Sequence, residues 1–281
     1  MKYKVKQDIE LLQFLLEVTS KKRNDLKKAL KFEQVHVNGQ TQTYYAFLLH
    51  EGDEVELGKK SKQSLPFPIL YEDKELIVIN KPSGLVSEQT MHNKSETAFM
   101  IVNGYLKKKK EKAYLVHRLD QDTSGVMMFV KNKKLYEELT HNWNDYVLER
   151  SYQAIVEGIV KKDGRIENYL SENKMQKVYI SNKQKGKKAI TNYHVIKSVK
   201  GYTLLDVFIE TGRKNQIRVH MSSMGHPIAG DRKYGARSNP IRRLALHANI
   251  FAFEHPFTHQ TMTFKTEMPE SFYKVVGKLK K

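Results

Sequence analysis

Residues 113–130 read AYLVHRLDQDTSGVMMFV: an apolar run, nine mostly polar residues, then a second apolar run of strand-forming composition. The central nine, His117 to Gly125, form the densest group of reactive side chains in the chain with no evident packing role. Polar loops between strands are where binding and catalytic groups are usually displayed. The same residues could also form a turn whose Asp, Thr and Ser bond to nearby backbone.

Strand-like segments separated by turn residues recur from Ile69 onward: ILYED (69–73), LIVIN (76–80), VMMFV (126–130), SYQAIVEG (151–158), AITNYHVI (189–196), YTLLDVFIE (202–210), NQIRVHM (215–221), LALHANIFAF (244–253) and MTFK (262–265). Helical patterns are fewer, the better ones spanning Ser95 to Lys108 and Lys134 to His141. The expected class is α+β, with helices packed around a mixed, mainly antiparallel sheet. The lysine run 107–110 reads as a solvated loop.

Upstream the pattern differs. DIELLQFLLEV, Asp8 to Val18, has helical periodicity behind an Asp placed to cap the first turn. A second helix is expected from Lys21 to Phe32, with Leu26, Ala29 and Leu30 as a narrow apolar stripe and Lys21, Lys22, Arg23, Lys27, Lys28 and Lys31 as a cationic face. VHVNGQ follows with an Asn38-Gly39 turn, and then FLLHEGDEVEL with a turn at Glu51-Gly52-Asp53. GKKSKQS, residues 58–64, has no periodicity and reads as a linker. The expected division is a small α/β module over 1–60, a linker over 61–67 and a larger domain over 68–281.

The 281 residues carry 49 Lys and Arg against 31 Asp and Glu, a formal charge of +18 that attracts a polyanion such as nucleic acid. No stretch approaches the roughly 20 apolar residues that span a bilayer, and the first seven residues lack an apolar signal core, so a cytoplasmic protein without membrane association is expected. Absence of cysteine excludes disulfides, thiolate nucleophiles and Cys-ligated zinc. The histidines show no spacing that compels a metal, and neither a P-loop nor a dinucleotide fingerprint occurs, so no cofactor and no metal are expected.

HRLDQDTSG resembles the signature loop of the RluA-type pseudouridine synthases, which act chiefly on large-subunit ribosomal RNA. Further segments match in the family's order: YEDKELIVINKPSGL from Tyr71, RSYQAIVEG from Arg150, TGRKNQIRVHMSSMGHPIAGDRKYG from Thr211 and RLALHA from Arg243. Residues 1–60 look like the alpha-L RNA-binding domain shared with a small-subunit ribosomal protein. The chain departs from the commoner pattern at Lys214-Asn215, where Thr-His is frequent, and at Arg150, where Lys is frequent.

The resemblance implies a pseudouridine synthase fold that isomerises specific uridines of RNA, most often 23S ribosomal RNA, after flipping the base. It makes Asp120 the catalytic carboxylate, acting as nucleophile or as base. It places Arg218 against Asp120, to hold it ionised and orient it by forked hydrogen bonds, where the rival reading is a surface phosphate contact. Strand alternation in NQIRVHM would put Gln216, Arg218 and His220 on one face. Tyr152 would stack on the base as a neutral group, where packing in the core is the plain alternative. Arg118 would fill the space left by the flipped base or touch a phosphate, and His117 would support the loop. GHPIAGDRKYG, residues 225–235, would shape the cleft wall, and Lys81-Pro82 would hold backbone near the nucleic acid. Lys21, Lys22, Arg23, Lys27 and Lys28 would bind RNA backbone. A monomer suits a bulky RNA substrate. The competing readings are a transfer RNA substrate, a catalytically silent RNA-binding ribosome-assembly protein, and a His/Asp phosphodiesterase.

Overall fold

A computed structural model describes residues 2–58, 65–89 and 95–278, so residues 59–64 of the GKKSKQS segment lie outside the described residues. The chain begins with β1 (Lys2–Lys4), β2 (Ile9–Glu10), α1 (Leu11–Val18), α2 (Arg23–Lys31), β3 (Val35–Val37), β4 (Gln40–Thr41), β5 (Leu48–Leu49) and β6 (Glu54–Leu57). Leu11, Leu12, Phe14 and Leu15 of α1 meet Leu26, Ala29 and Leu30 of α2 over a sheet ordered β1-β6-β3-β4. Asp8 does not cap α1. Its carboxylate accepts from Glu51 N–H (3.2 Å) and pairs with His50 (3.0 Å), because Ile9–Glu10 is drawn into a strand against β5 before the helix starts.

The remainder runs β7 (Ile69–Glu72), β8 (Leu76–Lys81), α3 (Ala98–Lys107), β9 (Tyr114–Leu115), β10 (Ser124–Val130), α4 (Lys133–His141), α5 (Trp143–Tyr146), β11 (Val147–Glu157), β12 (Gly164–Glu172), β13 (Val178–Ser181), β14 (Lys187–Val199), β15 (Tyr202–Ile209), α6 (Gln216–Ser223), β16 (Leu246–Glu254), β17 (Thr261–Lys265) and α7 (Glu270–Val276). One 11-stranded sheet takes the order β13-β12-β14-β15-β11-β16-β10-β8-β7, with β17 on β16 and β9 on β10. Among its described strand pairs only β10 and β16 run parallel. The class is therefore α+β with a mixed, mainly antiparallel sheet.

β8 and β10 are apolar at nearly every position because both faces of the sheet are covered there. Ile77, Ile79, Met127 and Phe129 pack on Ala98, Val102 and Leu106 of α3. Leu76, Val78, Val126 and Met128 face the other way, onto Leu135 and Leu139 of α4. Leu65 and Phe67, within the expected linker, are buried, and Phe67 meets Phe32 edge-on at 6.0 Å, so these residues pack between the two parts of the chain.

The expected strand at 215–221 is a helix instead. Asn215 turns the chain with φ 52°, and α6 follows. Residues 216–221 are buried on every side, which erases the amphipathic rhythm by which a helix is recognised and leaves Ile217 and Val219 to mimic a strand. β12 and β13, not expected from the pattern, extend the sheet edge.

Candidate active site

The polar loop 117–125 joins β9 to β10, and the segment 81–87 clamps it from below. Lys81 is fully buried, and its ammonium donates to Pro82 O (3.1 Å), Leu85 O (2.8 Å) and Gln121 O (3.1 Å). Burial pulls its pKa down to about 7, against the pull of Asp122 and Asp120. Lys81 thus ties the loop backbone together from a fully buried position. Ser87 Oγ donates to Leu119 O (2.6 Å) and accepts from Leu119 N–H (3.2 Å), and Ser83 Oγ donates to Asp122 O (2.7 Å). Asp120 therefore sits on backbone held at both flanking residues.

At the far end of the loop Gly125 has φ +120°, and a Cβ there would lie 2.1 Å from Ala248 O. Only glycine lets β10 approach β16 at this register. The approach places the loop beside β11, since Ala248 also pairs with Tyr152.

Asp120 and Arg218 face each other at 3.9 Å, with side chains 22% and 10% exposed. The forked hydrogen bonds of Arg218 go elsewhere: Nε and Nη2 donate to the two carboxylate oxygens of Asp231 at 2.7 and 2.8 Å, and Nη1 donates to Asn215 Oδ1 at 3.0 Å. The expectation that Arg218 orients Asp120 by a fork is corrected in this respect, because the guanidinium is held by Asp231 and presents only one edge to Asp120. Burial raises the Asp120 pKa above the usual carboxylate range, opposed by Arg218, Arg118 and a hydrogen bond from the Asn215 backbone at the start of α6.

Tyr152 on β11 lines the same cavity, and burial pushes its hydroxyl up to about 12, so it is a neutral phenol. His117 is stacked on Phe251 (4.7 Å, 5°), and its Nε2 accepts Met128 N–H at 2.9 Å. Burial lowers its pKa to about 3, which keeps it a neutral support. Arg118 is exposed at the cavity wall, and Arg150 donates to Glu210 O (2.7 Å). Of the two departures from the commoner pattern, Lys214-Asn215 is engaged within the protein, Lys214 by Glu172 and the buried Asn215 by Tyr234, while Arg150 lines the cavity.

Asp120, Arg118, Tyr152 and Arg218 are thereby brought to one open cavity of about 980 Å3, whose opposite wall is the α4–α5 turn with Trp143. The cavity is of nucleotide size, and its Arg118, Arg150, Arg213 and Arg218 suit a phosphorylated ligand. Lys21, Lys22, Arg23, Lys27 and Lys28 are all exposed, and none of them lines it. Sequence reasoning missed Asp231, Ser87, and the buried chain Arg243 Nη1 to Ser124 Oγ (2.9 Å) to His247 Nδ1 (2.8 Å). The one available signal was that a buried arginine requires a carboxylate, and no spacing says which one.

The family model described as RNA pseudouridylate synthase matches residues 75–223. The chain is similar to an uncharacterized RNA pseudouridine synthase of Aquifex aeolicus, 35% identical over 90% of this chain and 88% of that one. It is likewise similar to an uncharacterized RNA pseudouridine synthase of Bacillus subtilis, 32% identical over 92% of this chain and 90% of that one. The ribosomal large subunit pseudouridine synthase D of Pasteurella multocida is 31% identical over 92% and 87%. Among solved structures, human RNA pseudouridylate synthase domain containing 4 superposes with a TM-score of 0.60 at 25% identity, covering 73% of this chain and 89% of that one.

Proposed function

Because the chain belongs to the RNA pseudouridylate synthase family, we propose that it converts selected uridines of large-subunit ribosomal RNA into pseudouridine with Asp120 as its catalytic carboxylate. The observation that carries the assignment of Asp120 is its position: a carboxylate only partly exposed, facing a guanidinium that is itself fixed, in a cavity of nucleotide size.

The isomerisation breaks the bond from C1′ to N1 and forms one from C1′ to C5. The C5 proton leaves and N1 is protonated, so no atom or electron enters from another substrate. Asp120 is the reacting carboxylate at this centre, as nucleophile or as proton acceptor, and Arg218 stabilises its ionised form across 3.9 Å. Tyr152, neutral at physiological pH, offers a ring for stacking and a hydroxyl for hydrogen bonding. Arg118, exposed beside Asp120, is placed to occupy the gap left in the RNA stack when the uridine turns out, a displacement costing a few kcal/mol. Residues 1–60 act as the RNA-anchoring domain, and α2 offers its exposed cations to the backbone. The protein works as a cytoplasmic monomer. Among the described residues no helix is long and apolar enough to cross a membrane.

The test is pseudouridine mapping by carbodiimide labelling and primer extension on RNA from cells with and without the gene, with Asp120→Asn as the rescue control. Loss of discrete sites in large-subunit RNA, restored by the wild type alone, is the expected result. An unchanged map in cells shown to lack redundant enzymes overturns it.

A further inference from the structure

We propose that the crevice between the N-terminal elements and the catalytic sheet is a second ligand site, built by both parts of the chain together to hold backbone phosphates of the RNA whose uridine occupies the catalytic cavity. The inference rests on the RNA reading above and adds to it a location, a ligand group and a set of residues.

The crevice encloses about 850 Å3. Lys27 and Lys31 of α2 line one wall, and Arg242, Arg243 and Lys274 line the other. Four carboxylates also line it against six cationic side chains: Asp231 is taken by Arg218, Glu33 lies in the field of Arg243, and Asp122 and Glu270 leave the balance positive. Among the described residues Lys27, Lys31, Arg242 and Lys274 make no ion pair with a carboxylate, whereas Lys28, one position along α2, is engaged by Glu96 at 3.5 Å. Unpaired cations converging on one crevice from two parts of a chain repel each other, and an anion relieves that repulsion.

The cationic heads are also aimed. Lys27 Nζ lies 5.4 Å from the centroid of the Tyr45 ring, and Arg242 Cζ lies 4.0 Å from that of Tyr44. The two rings are neighbours, 5.4 Å apart at 44°. One pair of adjacent tyrosines on the N-terminal part therefore seats one cation from each side of the crevice. A guanidinium packed on a ring keeps its N–H edge for a phosphate. Arg242 moreover holds the left-handed conformation at φ 58°, which a non-glycine residue keeps only where its surroundings fix it.

Continuity with the catalytic cavity identifies the ligand. Arg218 lines both spaces, and Asp122, two residues beyond Asp120, lines the crevice. A strand entering the catalytic cavity and passing Arg218 meets Lys27 and Arg242 next, so the phosphates belong to the same RNA molecule.

The experiment uses the full chain and an unmodified 23S ribosomal RNA transcript carrying uridine tritiated at C5. Filter binding at several salt concentrations gives affinity and salt slope, and tritium release gives turnover. Lys27→Gln with Arg242→Gln is compared with Lys107→Gln plus Lys110→Gln, which removes the same charge from an exposed run outside the crevice. The crevice pair is expected to raise Kd about ten-fold and to reduce the salt slope by between about 1 and 2, while the control stays within about two-fold. Tyr44→Leu, which keeps every charge but removes the ring beside Arg242, is expected to raise Kd as well. Equal losses from the two double variants, or no loss from the crevice pair, overturn the proposal. Wild-type protein that binds through Lys27 and Arg242 yet releases no tritium supports the crevice and overturns the uridine chemistry instead.

Discussion

Asp231, not Asp120, holds Arg218: two hydrogen bonds of 2.7 and 2.8 Å join the Asp231 carboxylate to the guanidinium, while Asp120 stands 3.9 Å away. The division is chemically useful. An arginine fully engaged by the reacting carboxylate would bury its charge in a strong pair, whereas one already fixed by another partner stabilises the carboxylate and leaves its oxygens for substrate.

Asp231→Asn keeps the volume and removes the charge that fixes Arg218. Breaking such a buried pair costs on the order of 3–5 kcal/mol of stability. A guanidinium displaced by about 1 Å is expected to lower kcat roughly 100-fold with a smaller change in KM. Steady-state tritium release and a denaturant melt measure both, and wild-type kcat in a folded variant would sink the positioning role.

Asp120→Asn is expected to abolish turnover and to leave RNA affinity within a few-fold, since charge is lost but shape is kept. In the wild type, burial holds the Asp120 pKa above the ordinary carboxylate range. The kcat/KM profile should therefore fall on its acid side at a pH above that of a free aspartate. Retained turnover in the variant would refute the catalytic assignment.

His117 is neutral when folded, its pKa lowered to about 3 by burial, whereas in the unfolded chain it titrates near 6.5. Below that value the unfolded chain takes up a proton that the folded one refuses, so stability is lost as pH falls from 6.5 toward 3. Gln in place of His117 can still accept the Met128 N–H but cannot titrate, so thermal melts between pH 7 and 4 should show a shallower acid slope in His117→Gln. An identical slope would mean that other histidines, such as His247, carry the acid sensitivity.

Gly125→Ala puts a methyl group 2.1 Å from Ala248 O at a φ of +120°. The strain falls on backbone, which cannot rotate aside, so a loss of more than about 3 kcal/mol is expected, read as a lower denaturant midpoint. A melt within about 1 kcal/mol of wild type would show that β10 and β16 can separate at no great cost.

Substituting Lys21, Lys22 and Arg23 together by Gln is expected to lower RNA affinity and to reduce its salt dependence, with kcat unchanged, because these exposed cations stand outside the catalytic cavity. Binding titrations over a salt series decide it, and an unaltered slope would remove them from the RNA contact.

Much of this was legible in the one-dimensional pattern. VMMFV and LIVIN are apolar at nearly every position because two helices cover the strands, and a fully buried strand needs no partner to be seen. Loop 117–125 stands out because reactive side chains with no packing role must be displayed, and its likeness to a known signature named the chemistry to expect. The charge of +18 pointed to a polyanion before any fold was known. Local properties of this kind survive in the sequence because each depends on neighbours within a few residues.

Pairing across distance came from the three-dimensional fold alone. Nothing in QIRVHM marks it as a helix, since complete burial flattens the periodicity, and nothing in GHPIAGDRKYG selects Asp231 for Arg218, thirteen residues away. Lys81 and Gln121, forty apart, meet because β8 and β10 are neighbours, and Tyr44 meets Arg242 because the N-terminal elements pack beside the loop that carries Arg242. Sequence determines which groups must find partners, since a buried charge or an unpaired donor costs several kcal/mol, but the three-dimensional path of the chain determines who the partners are.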